Sequence, residues 1–175
     1  MQVDGRTALR PERAETFDEF VRARSDSMLR LSCLITRNWE DARDATQEAL
    51  AKLYPRWPQL ASADYRDAYV HRALVNASLT VLRRTGHERP VAELPGMPPA
   101  NHHDPARDVA NADEAWRLLG GLPPDQRAAV VLRFYRDLSY AEIADALGCR
   151  EATARSHVHR AMTALRIRLE GEPNE

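Results

Sequence analysis

The stretch from Leu138 to Leu165, LSYAEIADALGCREATARSHVHRAMTAL, constrains the chain more than any other. It reads as two helices joined by a tight turn. Ser139 and Glu142, three residues apart, form a capping box for the first helix. Ile143, Ala144 and Leu147 give that helix a short apolar face, and Gly148 follows as the residue able to take a left-handed conformation at its end. The second helix sets Ala154, Val158, Ala161 and Leu165 on one side. Ala144 supplies the small side chain that two crossing helices need where their backbones approach. A small residue, a turn glycine and an apolar return contact, in that order, are the pattern of a helix-turn-helix. The opposite face of the second helix offers Arg150, Arg155, Ser156, His159 and Arg160, with Arg166 and Arg168 further on. Arginine forks can pair with phosphates or with guanine edges in a major groove. A solvated terminal helix has the same composition; the small-residue and glycine spacing is what favours DNA.

A chain of 175 residues suits one domain or two small ones. With 29% charged and 6% aromatic residues, small helical domains are favoured over one large core. The net charge of -1 gives no global basic field, so any nucleic-acid site is a local patch. Cys33 and Cys149 lie in apolar helical patterns, without zinc-site spacing or a disulfide framework. No apolar run is long enough to span a membrane and the N-terminus lacks a signal-peptide core, which predicts a soluble, cytoplasmic protein. The chain has no glycine-rich phosphate loop, no GxSxG and no HExxH, so neither an enzyme nor a cofactor is expected. The adjacent histidines of His102-His103-Asp104 lack the i, i+4 geometry of a helical ligand pair, so no metal site is expected either.

In chain order, Met1 to Arg13 is polar and unpatterned. From Thr16, a cap with Glu19 three residues on, Phe17, Phe20, Val21, Arg24, Met28, Leu31 and Ile35 recur at helical steps. Asn38 starts a second helix with Trp39, Ala42, Ala45, Ala49 and Leu53 inward, and Pro55 ends it. Asp41, Asp44, Gln47, Glu48 and Lys52 lie on its other faces, where charges are usually just solvated. Arg56 to Asp67 reads as a connection. A third helix, Ala68 to Arg84, buries Val70, Ala73, Leu74, Ala77 and Val81. Its Tyr69, Arg72, Asn76 and Arg83 lie elsewhere around the helix; aromatics among Arg and Asn can stack unpaired bases and hold phosphates. Tyr69 could equally be core, and Arg83-Arg84 could simply favour the helix end. Prolines and glycines then break all periodicity. Helical pattern resumes at Asp108, with Val109, Ala112, Trp116 and Leu119 on one side, and stops at Gly120-Gly121. Leu122 to Asp125 opens a helix with Ala128, Val131, Leu132 and Tyr135 as its apolar face. The expected fold is all-α: a first domain over 14–84, a Pro-rich linker over 85–107, and a second domain over 108–169 containing the helix-turn-helix.

Several separate segments resemble one family. DARDATQEALAKLY resembles the polymerase-binding helix of bacterial RNA polymerase sigma factors, and DAYVHRALVNASLTVLRR resembles the helix those proteins use at the minus-ten promoter element. LPPDQRAAVVLRFYRDLSYAEIADALGC, running on to ATARSHVHRAMTALR, resembles their second domain, which binds the minus-thirty-five element. The two-domain size is similar to that of the extracytoplasmic-function group, and the resemblance covers roughly Phe17 to Leu169. It implies a subunit of RNA polymerase that directs initiation at specific promoters. Asp41, Asp44, Gln47 and Glu48 would meet core polymerase. Tyr69, Arg72 and Asn76 would face the non-template strand, with Arg83 and Arg84 tracking phosphate. Arg155, Ser156, His157 and Arg160 would enter the major groove, His157 standing where the family commonly has Arg. Promoter DNA, core polymerase and an anti-sigma factor are the implied partners. The competing reading is a stand-alone helix-turn-helix transcription regulator.

Overall fold

The computed structural model describes residues 15–85 and 116–171. The N-terminal tail, almost all of the 85–107 linker and its His102-His103-Asp104 lie outside the described residues. The first group of helices begins with α1 (Phe17–Thr36), whose Thr16 cap accepts from the Glu19 amide while Glu19 reaches back to the Thr16 amide. At its other end Arg37 takes a left-handed conformation, φ 57°, and its amide bonds the Cys33 carbonyl. The Asn38 side chain then caps α2 (Trp39–Leu53) by accepting from the amides of Glu40 and Asp41. Pro55 lacks the donor needed to continue that helix. The chain tightens into a 3-10 turn (Tyr54–Arg56) and a single helical turn, α3 (Trp57–Leu60), where a plain connection was expected. Trp57 is buried there among Phe17 and Phe20, and its indole N–H donates to the Glu15 carbonyl. The helix α4 (Arg66–Thr85) follows and packs on both α1 and α2.

The second group is a helical turn at 116–119, then α5 (Pro124–Tyr135), α6 (Tyr140–Leu147) and α7 (Glu151–Gly171), each of the three packed on the other two. The capping box of Ser139 and Glu142 forms, and Gly148 ends α6 at φ 65°. Ile143, Ala144, Ala154, Val158 and Ala161 are buried, which makes the expected helix-turn-helix crossing. Two expectations on side chains fail. Tyr135 sits at the last turn of α5 and is exposed, because the helix runs past the core there. Arg168 turns away from the basic face, and its guanidinium donates to the carbonyls of Leu118 and Gly121 at 3.0 and 2.6 Å.

The two groups pack against each other, and one buried cluster joins them. α4 contacts α5 and α6, and α1 contacts α5. This explains why α4 is buried well beyond its expected stripe. Besides Val70, Leu74, Ala77 and Val81, it buries His71, Val75, Ser78, Leu79 and Leu82. Trp116 buries its ring beside Cys33 and Ala42, under the Arg37 guanidinium at 5.1 Å. Arg127 is 0% exposed, and its Nε donates 2.7 Å to the carbonyl of Ile35, near the end of α1. That bond occupies a carbonyl at a helix end, where intrahelical donors run out. Truncating a buried, hydrogen-bonded guanidinium leaves a cavity and an orphaned acceptor. Arg127→Ala should cost about 2–4 kcal/mol, read from urea unfolding of the whole chain.

Candidate nucleic-acid interface

With both flanks of α4 covered, one narrow strip of it reaches solvent. Residues 69, 72, 76 and 83 recur at helical steps of three, four and seven, so one strip holds them all. Arg72, Asn76 and Arg83 are exposed and Tyr69 is half-buried. Tyr69, Arg72, Ala73 and Asn76 line a shallow cleft, and the fifth residue around it is Lys52 of α2. Sequence reading set Lys52 aside with the other outward charges of α2. Only the crossing of α2 on α4 brings it to the cleft that Asn76 also lines. Arg56 lies over the Tyr69 ring at 5.7 Å, which adds a second cation to the same edge. Arg84, on the neighbouring flank of the strip, pairs with Glu48 of α2.

On α2 the acidic set keeps its own face. Asp44 and Gln47 are exposed, and Asp41 and Glu48 are half-buried. The inward side of the helix is filled by Ala42, Ala45, Thr46, Ala49 and Leu53.

On α7 an open groove is lined by Ala152, Arg155, Ser156, His159 and Arg160. His157 does not join it. It lies toward the packed side, half-buried, with its Nδ1 enclosed and without a hydrogen-bond partner. His159 holds the outward place instead. Arg155 pairs with Glu151 at 2.9 Å, and its guanidinium lies 4.5 Å from the centre of the Tyr140 ring.

The α4 strip and the helix-turn-helix are joined at one point. Arg72 Nη1 meets Asp145 of α6 at 3.3 Å. One residue earlier on α4, His71 Nε2 accepts from Arg136 Nε and Nη2 at 3.2 and 3.0 Å. Arginine has only donors to offer, so that nitrogen must carry the lone pair. Burial, then the Arg136 charge, lowers the His71 pKa from its ordinary 6.5, and Arg24 of α1 adds to the shift. Asp67, one turn back on α4, and Glu142 of α6 pull the other way. Burial pushes the Cys33 thiol up to about 11, so it is a packing group rather than a nucleophile. Among the described residues no cluster of His, Cys, Asp and Glu could hold a metal, and no helix is long and apolar enough to cross a membrane.

These features define an all-helical protein of the helix-turn-helix class. Residues 112–165 match the family Sigma-70, region 4. The chain is 36% identical over 155 residues to the RNA polymerase sigma-E factor of Streptomyces avermitilis, covering 88% of this chain and 85% of that protein. It is 34% identical over 149 residues to the ECF RNA polymerase sigma factor SigM of Mycobacterium tuberculosis, covering 85% and 74%. Its fold is similar to that of the sigma factor RpoE, solved in complex with the anti-sigma factor NepR from Bartonella quintana. There the TM-score is 0.66 at 21% identity, over 90% of this chain and 98% of that one. CnrH, solved with the cytosolic domain of CnrY, gives a TM-score of 0.61 at 16% identity, over 90% and 89%. The chain belongs to the extracytoplasmic-function group of RNA polymerase sigma factors.

The His71 bond sets a pH dependence. A histidine held neutral when folded, but free to protonate when unfolded, adds stability above its unfolded pKa. That contribution is lost as pH falls from about 6.5 through the lowered folded value. The thermal midpoint of the wild type should fall on acidification from about pH 7.5 to about pH 5.5, and it should fall less in His71→Gln, which keeps an acceptor without the proton site.

Proposed function

We propose that this sigma factor acts through three surfaces, the first two within residues 14–84 and the third within 108–169. The α2 face of Asp41, Asp44, Gln47 and Glu48 binds core RNA polymerase. The outer strip of α4, with Tyr69, Arg72, Asn76, Arg83 and Arg84, engages the minus-ten element as it opens. The outer face of α7, with Arg155, Ser156 and Arg160, reads the minus-thirty-five element. On this reading His157 supports α7 from its packed side and His159 faces the groove. The protein carries out no reaction of its own and works in the cytoplasm with the polymerase. A stand-alone regulator is not favoured, because similarity to sigma factors covers 88% of the chain rather than the helix-turn-helix alone.

One observation carries the minus-ten assignment. On a helix buried along both flanks, the exposed strip is the one with an aromatic ring, an amide and cations around a cleft. Unstacking a base costs a few kcal/mol, and a stacking platform with a hydrogen-bonding amide offsets it. Lys52 is placed to hold a phosphate at the rim of that cleft.

The packed arrangement supports a second step. Arg72 touches Asp145 of the helix-turn-helix. Promoter elements centred some 25 base pairs apart are separated by about 85 Å of duplex, at about 3.4 Å per pair. Both surfaces cannot engage their elements while the two groups of helices stay docked, so they separate on the polymerase. A linker of the length of 85–107 reaches on the order of 80 Å when extended. RpoE is solved with the anti-sigma factor NepR and CnrH with the cytosolic domain of CnrY, and an anti-sigma factor is a natural ligand of the surfaces this separation involves.

Pull-down of bacterial core polymerase tests the first surface. Wild type should be retained, and Asp44→Arg should lose about tenfold or more in affinity, since it sets like charges together. Equal retention of the two removes that face from the reading. Asn76→Ala should keep polymerase binding and lose promoter opening, scored by permanganate reactivity of unpaired thymines; a parallel loss of polymerase affinity would make Asn76 a packing residue.

A further inference from the structure

Tyr140 opens α6, one residue after the Ser139 cap, and is half-buried against the core. Two guanidiniums lie on its ring. Arg155 of α7 stands 4.5 Å from the ring centre and Arg133 of α5 stands 5.4 Å from it. Neither guanidinium is left to Tyr140 alone. Arg133 Nη1 donates 2.9 Å to the carbonyl of Leu138, in the turn just before the Ser139 cap. Arg155 Nη2 donates 2.9 Å to Glu151 Oε1, one turn earlier on α7. A continuous chain of contacts therefore runs from α5 through Tyr140 to Arg155 and back onto α7. It ends on the side chain that lines the outward groove.

We infer that Tyr140 is a positioning residue for DNA readout: with Glu151, it fixes the Arg155 guanidinium so that its free N–H edge is presented to a base. The inference rests on the reading of α7 as the minus-thirty-five helix. A guanidinium carries five donors in a rigid plane. Glu151 takes one N–H of Nη2 and the tyrosine ring lies against one face. The remaining edge is what a bidentate pair with the O6 and N7 of a guanine requires. A free arginine loses rotamer entropy when it docks on a base, and one already held by a stack and a carboxylate loses less. The gain is geometric, so it appears as discrimination at one base pair. General attraction to phosphate depends on charge, which Tyr140 does not carry.

The test uses holoenzyme reconstituted from bacterial core polymerase and the full-length chain. The probe is a duplex pool with its upstream block randomised, and bound DNA is sequenced. Arg155→Ala should flatten preference at one position of the block. Tyr140→Leu, which keeps bulk but has no π face, should weaken preference at that same position by roughly two- to fivefold, the worth of an exposed cation–π contact. Total retention of the pool should not change. Tyr140→Phe should restore the wild-type preference, because the ring and not the hydroxyl makes the contact. Three results overturn the inference: wild-type preference in Tyr140→Leu while Arg155→Ala flattens one position; flattening of every position together with a lowered thermal midpoint; and no rescue by Phe. If Arg155→Ala itself changes nothing, the base-reading role of Arg155 fails and takes this inference with it.

Discussion

The structure turns on α4 being buried along two flanks. A surface helix needs one apolar stripe, and a helix with more must find more than one neighbour. Val70, Leu74, Ala77 and Val81 form one buried stripe, and His71, Val75, Ser78 and Leu82 a second beside it, in which Ser78 meets Ser32 of α1 and His71 meets Arg136 of the second group. What remains along the length of the helix is a narrow strip of Tyr69, Arg72, Ala73, Asn76, Thr80 and Arg83, with Arg84 exposed beside its end. Packing thus decides which side chains can meet a ligand. The polar strip is the residue of two burial requirements, and both groups of helices are positioned by the same element.

Electrostatics works at short range here. A net charge of -1 cannot steer the whole protein toward DNA, and three of the arginines on the proposed DNA faces are individually paired. Arg84 holds Glu48, Arg72 holds Asp145, and Arg155 holds Glu151. All are exposed or half-exposed pairs, worth about 0–1 kcal/mol each and weakened by salt. Such pairs keep long side chains ordered, yet a phosphate or a base edge can displace them at little cost. Arg127 is of the opposite kind. A fully buried guanidinium on a carbonyl gives a docked arrangement its register rather than its lability.

The elements and the helix-turn-helix were legible in the sequence because their signals are local. Thr16 with Glu19 and Ser139 with Glu142 are capping boxes three residues long, and Gly148 lies at the end of an apolar periodicity. The residues of the α4 strip were legible as a group for the same reason of helical spacing. What escaped is what depends on packing between distant segments. Lys52 joins the α4 cleft through a helix crossing, and no spacing within α2 reports it. Arg127 did leave a trace: it stands four residues before Val131, inside the apolar stripe of α5, where a solvated arginine has no place. Val75, Leu79 and Leu82 left another, as a second stripe on a helix whose first was already sufficient. Helical spacing set His159 on the outward face, and His157 entered the groove set only through the family resemblance, which does not report how this helix packs.

Two weak surfaces on one chain follow from the same arrangement. On the proposed reading, a helix-turn-helix with one arginine prepared for a base, and a strip with one cleft for another, would each bind little alone. Tethered through a linker and held on a common partner, the second contact becomes intramolecular, at an effective concentration set by linker length. Docking opposes this, because burying Trp116 and Arg127 against the first group must be undone before both surfaces can act. Only a partner that binds the separated form better can move that equilibrium, and only by its difference in affinity for the two forms. A single promoter element is a poor candidate for that partner, since the α4 strip and the α7 groove are both exposed while docked and opening frees only the Arg72 fork from Asp145. On the proposed reading, polymerase is the better one. It can hold the α2 face and the second group at sites too far apart for the docked form to bridge, so promoter recognition follows polymerase binding.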